Sequence, residues 1–286
     1  MEDLEKYLFL TVCSHTKNLE SFEREMPLCE MYIGSSYCAR VNLLKLITDE
    51  IYITSLLGPG IVRDTFVALG YDALPPTILK KYVKEPGFCE ERRRMFEKRY
   101  PGRINKVEKV FFLGDSNYDD CIKGIFPDKE VIIIMKKKLS VGKMTSFFSK
   151  ITNFVKNIDP LKNYKKRYYE YNGWLFEYQK TICNLYKIDN DKYYEVDGFS
   201  SDTNFIKKFR ELTGNKTSQQ YCECVQVKPR KWELTHPTIE KYFKKILQLK
   251  PVNIDESKLI KNDYLNNNIF DERFVDILNK IKLKIE

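Results

Sequence analysis

Four short apolar runs punctuate the first half of the chain, at residues 7–13, 50–55, 107–113 and 130–135. Each is too short for a helix and lacks the 3.6-residue recurrence of a helix face. Continuous apolar runs of this length fit strands buried on both faces of a parallel sheet. Between them, residues 40–48, 61–69, 89–99 and 118–125 carry helical patterning. Strands alternating with helices predict a three-layer α/β domain built on a parallel sheet.

Beyond about residue 145 the pattern changes. Helical spacing dominates residues 173–186, 201–212, 237–249 and 271–285, interrupted by a strand-like run at 221–228. Ser201 with Asp202 suits an N-cap, and Pro237 suits a first helical turn. The pattern therefore predicts an α/β domain over residues 1–145 and a basic, mainly helical domain over 146–286, with the boundary between Leu139 and Asp159.

Charge adds a candidate partner. The net charge is +9, and residues 136–167 hold nine lysines and one arginine against one acid, Asp159. Lys136, Lys137, Lys138, Lys143, Lys165, Lys166 and Arg167 are the candidate nucleic-acid contacts, because cations interleaved with Phe147, Phe148, Tyr164 and Tyr168 suit phosphates and bases. A solvated linker with an amphipathic helix would carry similar charge. No apolar run reaches the roughly 18 residues of a membrane span. The acidic opening MEDLEKYLFL is not that of an export signal, so the eight cysteines are expected as thiols in a cytoplasmic protein. Cys222-x-Cys224 has no second cysteine pair, and Gly58-Pro59-Gly60 lacks the Lys-Ser/Thr ending of a phosphate loop, so neither a metal nor a cofactor is expected.

Candidate chemistry gathers where the strands end, the edge at which doubly wound sheets bind ligands. The first strand ends in Cys13-Ser14-His15-Thr16-Lys17, the second in Ser55-Leu56-Leu57-Gly58, and the third in Gly114-Asp115-Ser116-Asn117. Such residues are also ordinary capping residues of strand-to-helix loops. Three endings of this kind in one sheet favour a site.

The first two endings belong to a longer series. Ser35-Ser36-Tyr37-Cys38-Ala39-Arg40 precedes a helix, and Arg63-Asp64 and Tyr71-Asp72 follow the second strand. In order and approximate spacing, across residues 7–75, this series resembles the central domain of archaeosine synthase, an archaeal tRNA-modifying family related in fold to uracil-DNA glycosylases. Val12 and Leu56 stand where members usually carry proline. The resemblance implies a sheet of uracil-DNA-glycosylase type, and transfer of the side-chain amine of free lysine to the nitrile of a 7-deazaguanine base in tRNA.

On that resemblance, Cys13, Ser14, Lys17 and Asp115 are the catalytic candidates. Tyr32, Ser35, Ser36, Ser55, Gly58, Arg63, Asp72, Ser116 and Asn117 are the substrate-binding candidates. Cys13 is a possible thiolate nucleophile toward the nitrile, or simply a small core residue. Two other functions stay open: a glycosylase-like enzyme acting on DNA or a nucleoside, and a non-catalytic subunit that delivers tRNA or DNA to a partner modification enzyme.

Overall fold

A computed structural model describes residues 4–55, 58, 60–72, 85–114, 118–137, 139, 141–159, 162–179, 182–199, 211, 223–228, 231–235, 243–244, 247–261, 265 and 268–285. The chain divides into two compact units, residues 1–158 with 264–286, and residues 159–263. The break after residue 158 lies at the end of the expected interval from Leu139 to Asp159, and residues 264–286 group with the first unit.

The first unit holds β1 (Tyr7–Val12), β2 (Met26–Pro27), α1 (Leu28–Met31), α2 (Ser35–Leu44), β3 (Ile51–Thr54), β4 (Ile61–Arg63) and β5 (Val67–Ala68). It continues with α3 (Pro86–Arg99), α4 (Arg103–Lys106), β6 (Lys109–Leu113), α5 (Asp119–Ile125), β7 (Glu130–Ile133), α6 (Val141–Val155) and α7 (Glu272–Ile285). Its main sheet has the order β4-β3-β1-β6-β7. β3, β1, β6 and β7 run parallel, and β4 is an antiparallel edge.

Both faces of this sheet are covered, which is why the strands read as unbroken apolar runs. Phe9, Ile51, Ile53, Phe111 and Leu113 pack on one side with side chains of α2, α6 and α7. Leu8, Leu10, Tyr52, Val110 and Phe112 pack on the other with Phe96, Ile104 and Ile122. Residues 61–69, expected as a helix, instead form β4 and β5: Ile61 and Val62 are buried along β3, where β-branched residues fit a pleated surface.

The second unit corrects the expectation of a mainly helical domain. Residues 173–186 are not a helix; they lie in two strands of a five-stranded sheet. Its strands are β8 (Arg167–Tyr171), β9 (Trp174–Gln179), β10 (Ile182–Asp189) and β11 (Lys192–Phe199), with β12 (Glu223–Lys228) and β13 (Lys231–Thr235) forming a separate hairpin and β14 (Leu259–Ile260) closing the sheet edge. Two tight turns drive the meander: Asn172-Gly173 at φ 49° and 77°, and Asn190-Asp191 at φ 46° and 59°. Left-handed residue pairs of this kind match the right-handed twist of paired strands. The expected helices at 201–212 and 237–249 fall almost wholly outside the described residues, whereas the one at 271–285 is α7. Among the described residues, no helix is long and apolar enough to cross a membrane.

Candidate functional site

From β1 the chain goes to β3 on one side and later to β6 on the other, so strand order reverses between β1 and β6. The carboxyl ends of the strands beside such a reversal form a crevice. Three loops furnish it. After β1, Lys17 pairs with Tyr32 as an isolated antiparallel bridge. The Asn18 amide donates to the Met31 carbonyl at 2.8 Å, and the Ile33 amide donates to the Thr16 carbonyl at 3.2 Å. The Cys13 amide donates to the Thr54 carbonyl at 3.1 Å, which holds the first two strand endings together.

Tyr71 is the hub. Its hydroxyl lies 2.5 Å from that of Tyr32 and also hydrogen-bonds the Ser55 hydroxyl. Ser55 Oγ in turn accepts from the Gly58 amide at 2.9 Å. Lys17 Nζ sits 4.4 Å above the Tyr71 ring, an arrangement worth on the order of 1 kcal/mol. Tyr32 and Ser55 are fully buried, Lys17 is 8% exposed, and Asp72 is open to solvent. Gly58 has to be glycine here, because a Cβ on it would meet the Tyr71 ring at 2.5 Å.

Burial sets the protonation states. It pushes the Cys13 thiol up; the Tyr71 hydroxyl, the Lys17 charge and the Ser55 hydroxyl pull it only partly back. Cys13 is therefore a thiol at neutral pH, which disfavours a thiolate nucleophile. Burial pushes Lys17 down, opposed by Cys13 and Asp72. Burial also raises the Tyr32 and Tyr71 phenols, so both stay protonated as donors. The cluster therefore combines three hydroxyls with an amine that gives up its proton more readily than a surface lysine does.

Ser14 is a structural neighbour of this group. Its hydroxyl accepts from the Thr16 amide at 3.1 Å and abuts Gly34, where a Cβ would come within 2.2 Å of it. Ser35 and Ser36 open α2; Ser35 is exposed, and Ser36 Oγ accepts from Arg40 Nη1 at 2.9 Å. Arg40, missed in the sequence, is 6% exposed beneath the crevice. Its Nε donates to Thr11 Oγ1 at 2.9 Å, and Thr11 Oγ1 donates to the Leu113 carbonyl at 2.7 Å, which links β1 to β6. The spacing of Ser36 and Arg40, one helical turn apart, was the signal for that contact.

Arg63 is not part of the group. β4 runs back along β3, so Arg63 pairs with Tyr52 in register, stacks on Tyr52 and Tyr100, and reaches Glu50 at 2.9 Å. Asp115, Ser116, Asn117 and Lys138 lie outside the described residues. The basic candidates divide. Lys136 pairs with Glu272 at 3.1 Å, and Lys143 is exposed on α6. Lys165, Lys166 and Arg167 line a cleft of about 620 Å³ in the second unit, in which Lys166 pairs with Glu256 at 3.3 Å.

No protein-family model, curated protein or solved structure matches this chain.

Proposed function

We propose that the first unit is a nucleic-acid base-modifying enzyme of the archaeosine-synthase type, joining the side-chain amine of free lysine to the nitrile of a 7-deazaguanine base in tRNA. The observation that carries this reading is the convergence of Lys17, Tyr32, Ser55 and Tyr71 at the carboxyl ends of β1 and β3. Four parallel strands covered on both faces are compatible with a sheet of uracil-DNA-glycosylase type.

In this reaction the amine nitrogen forms a bond to the nitrile carbon, one π bond of the nitrile opens, and a proton passes from the amine to the former nitrile nitrogen. The product is an amidine, and no oxidant or reductant is needed. Lys17, held low by burial, is suited to take the proton that the attacking amine sheds. The Tyr71 hydroxyl, which burial keeps protonated, is suited to donate a hydrogen bond to the nitrile nitrogen as charge develops there.

The test is transfer of labelled free lysine to tRNA carrying the 7-deazaguanine nitrile, comparing the wild-type protein with Lys17→Ala and Asp115→Ala. Transfer by the wild type and its loss in Lys17→Ala supports the enzyme. Absence of transfer by the wild type overturns it. The cationic cleft in the second unit favours a second reading, a tRNA-binding subunit that presents the base to a partner enzyme. That reading predicts tight tRNA binding without transfer.

A further inference from the structure

The cleft of about 620 Å³ in the second unit is bounded by the segment that enters β8 and by residues 251–256. Hydrogen bonds fix both walls. The Val252 amide donates to the Tyr168 carbonyl at 2.8 Å. Gln179 Nε2, on a buried side chain, donates to the Tyr164 carbonyl at 2.7 Å. The cleft is therefore a preformed feature of this sheet and its flanking segments.

Among the described residues, the lining carries four cations, Lys162, Lys165, Lys166 and Arg167, against two acids, Asp159 and Glu256. Glu256 is already engaged: it accepts from the Tyr168 hydroxyl at 2.7 Å and from Lys166 Nζ at 3.3 Å. The Tyr168 bond, helped by Lys166, holds its carboxyl below the usual range. Glu256 and Lys166 thus offset each other, and the lining keeps a surplus of two positive charges. Lys162 and Lys165 stand exposed, where they can meet an incoming anion.

The same walls also carry apolar surface. Val252 and Ile254 are half-buried, and Tyr164 is 44% exposed. A tyrosine ring in that position can stack on a base. An inorganic anion would use the lysines and leave this apolar wall bare, whereas a nucleoside would do the reverse. A nucleotide uses both, and the volume falls within the roughly 300–1,000 Å³ of small-molecule sites.

We propose that this cleft is a nucleotide site, with Lys162 and Lys165 on the phosphate and Tyr164 on the base. It rests on and deepens the tRNA-binding reading above, giving the second unit one nucleotide of a single strand as its ligand; a free mononucleotide presents the same chemistry.

Calorimetric titration of the full chain compares adenosine 5′-monophosphate, adenosine, inorganic phosphate and a single-stranded RNA tetranucleotide. The monophosphate is expected to bind roughly tenfold tighter than adenosine and than phosphate. The double variant Lys162→Gln/Lys165→Gln should bring monophosphate and adenosine to within about twofold of each other. Tyr164→Ala should weaken the monophosphate at least about threefold and leave phosphate unchanged. All three replaced side chains are exposed, and thermal midpoints confirm folding. A tetranucleotide that competes with the monophosphate and binds tighter assigns the site to nucleic acid; one that does neither assigns it to the free nucleotide. Equal binding of monophosphate and adenosine overturns the proposal, as does equal binding of monophosphate and phosphate or undiminished binding in the folded variants. Binding of tRNA that survives in those variants keeps the carrier reading and overturns only this site.

Discussion

The hydroxyls of Tyr32 and Tyr71, 39 residues apart in the chain, meet at 2.5 Å. This contact joins the end of α1 to the segment after β5, and Ser55 attaches the end of β3 to the same point. Removing the shared hydroxyl with Tyr71→Phe leaves a fully buried Tyr32 hydroxyl without this partner. The expected cost is about 1–3 kcal/mol of unfolding free energy, the penalty for stranding a buried polar group. Urea unfolding of Tyr32→Phe, Tyr71→Phe and the double variant checks it. Additivity within about 0.3 kcal/mol would show that the two hydroxyls do not interact.

Lys17 and Cys13 should give stability opposite dependences on pH. Lys17 is lowered from 10.5 in the folded chain, so the unfolded chain holds that proton more tightly. Stability rises as pH climbs from the lowered value toward 10.5. Cys13 is raised from 9.0, so above that pH the unfolded thiol ionises first and stability falls until the folded value is reached. Urea melts of Lys17→Met and Cys13→Ala between neutral pH and pH 11 should each remove one of these trends. Iodoacetamide at neutral pH should modify the exposed Cys38 well before Cys13; equal rates would contradict the raised thiol.

Gly34→Ala should be poorly tolerated. The new methyl would meet Ser14 Oγ at 2.2 Å and Ser14 Cβ at 3.3 Å in a nearly closed spot. Overpacking of this kind costs typically 1–3 kcal/mol. Adding Ser14→Gly should restore most of the loss in a thermal melt, and failure of that rescue would place the clash elsewhere.

Binding to tRNA should weaken steeply with salt. Each phosphate contact contributes a slope of about −0.7 to −0.9 in a plot of log affinity against log salt. Lys165→Ala should flatten the plot by about one such contact. Lys136→Ala should change it less, because Lys136 already pairs with Glu272. A flat response in the wild-type protein would remove the electrostatic case for nucleic acid.

The first unit was legible because its strands are covered on both faces. Phe9 and Leu10 point to opposite sides yet both meet apolar neighbours, so the sequence shows an unbroken run that only a buried strand explains. The second unit was misread because its strands are rich in tyrosine and charge. In β9, Leu175 and Phe176 are both buried beside Glu177, which blurs any period of two. The readable signal there was the turn, Asn172-Gly173, and it carries more information than the residues on either side. At the site, Cys13, Lys17 and Ser55 were found because they end strands. Tyr71 was visible only as half of a Tyr-Asp pair, since its role depends on a fold that brings residues 32, 55 and 71 together. Arg63 was misplaced because nothing in its neighbourhood announces that β4 runs backward along β3.

The return of α7 to the first unit sets an order of events during synthesis. Phe270, Phe274 and Leu278 lie in the same core as Phe148 and Ile151, although residues 159–263 intervene. On a ribosome, the sheet built from residues 7–133 emerges long before the helix that completes its cover. Until then, one face of the nascent sheet stays partly bare, while the meander of the second unit can close from neighbouring segments alone. A chain stopped at residue 263 would therefore keep its later-made unit and lose the integrity of the earlier one, the reverse of the usual N-terminal-first order.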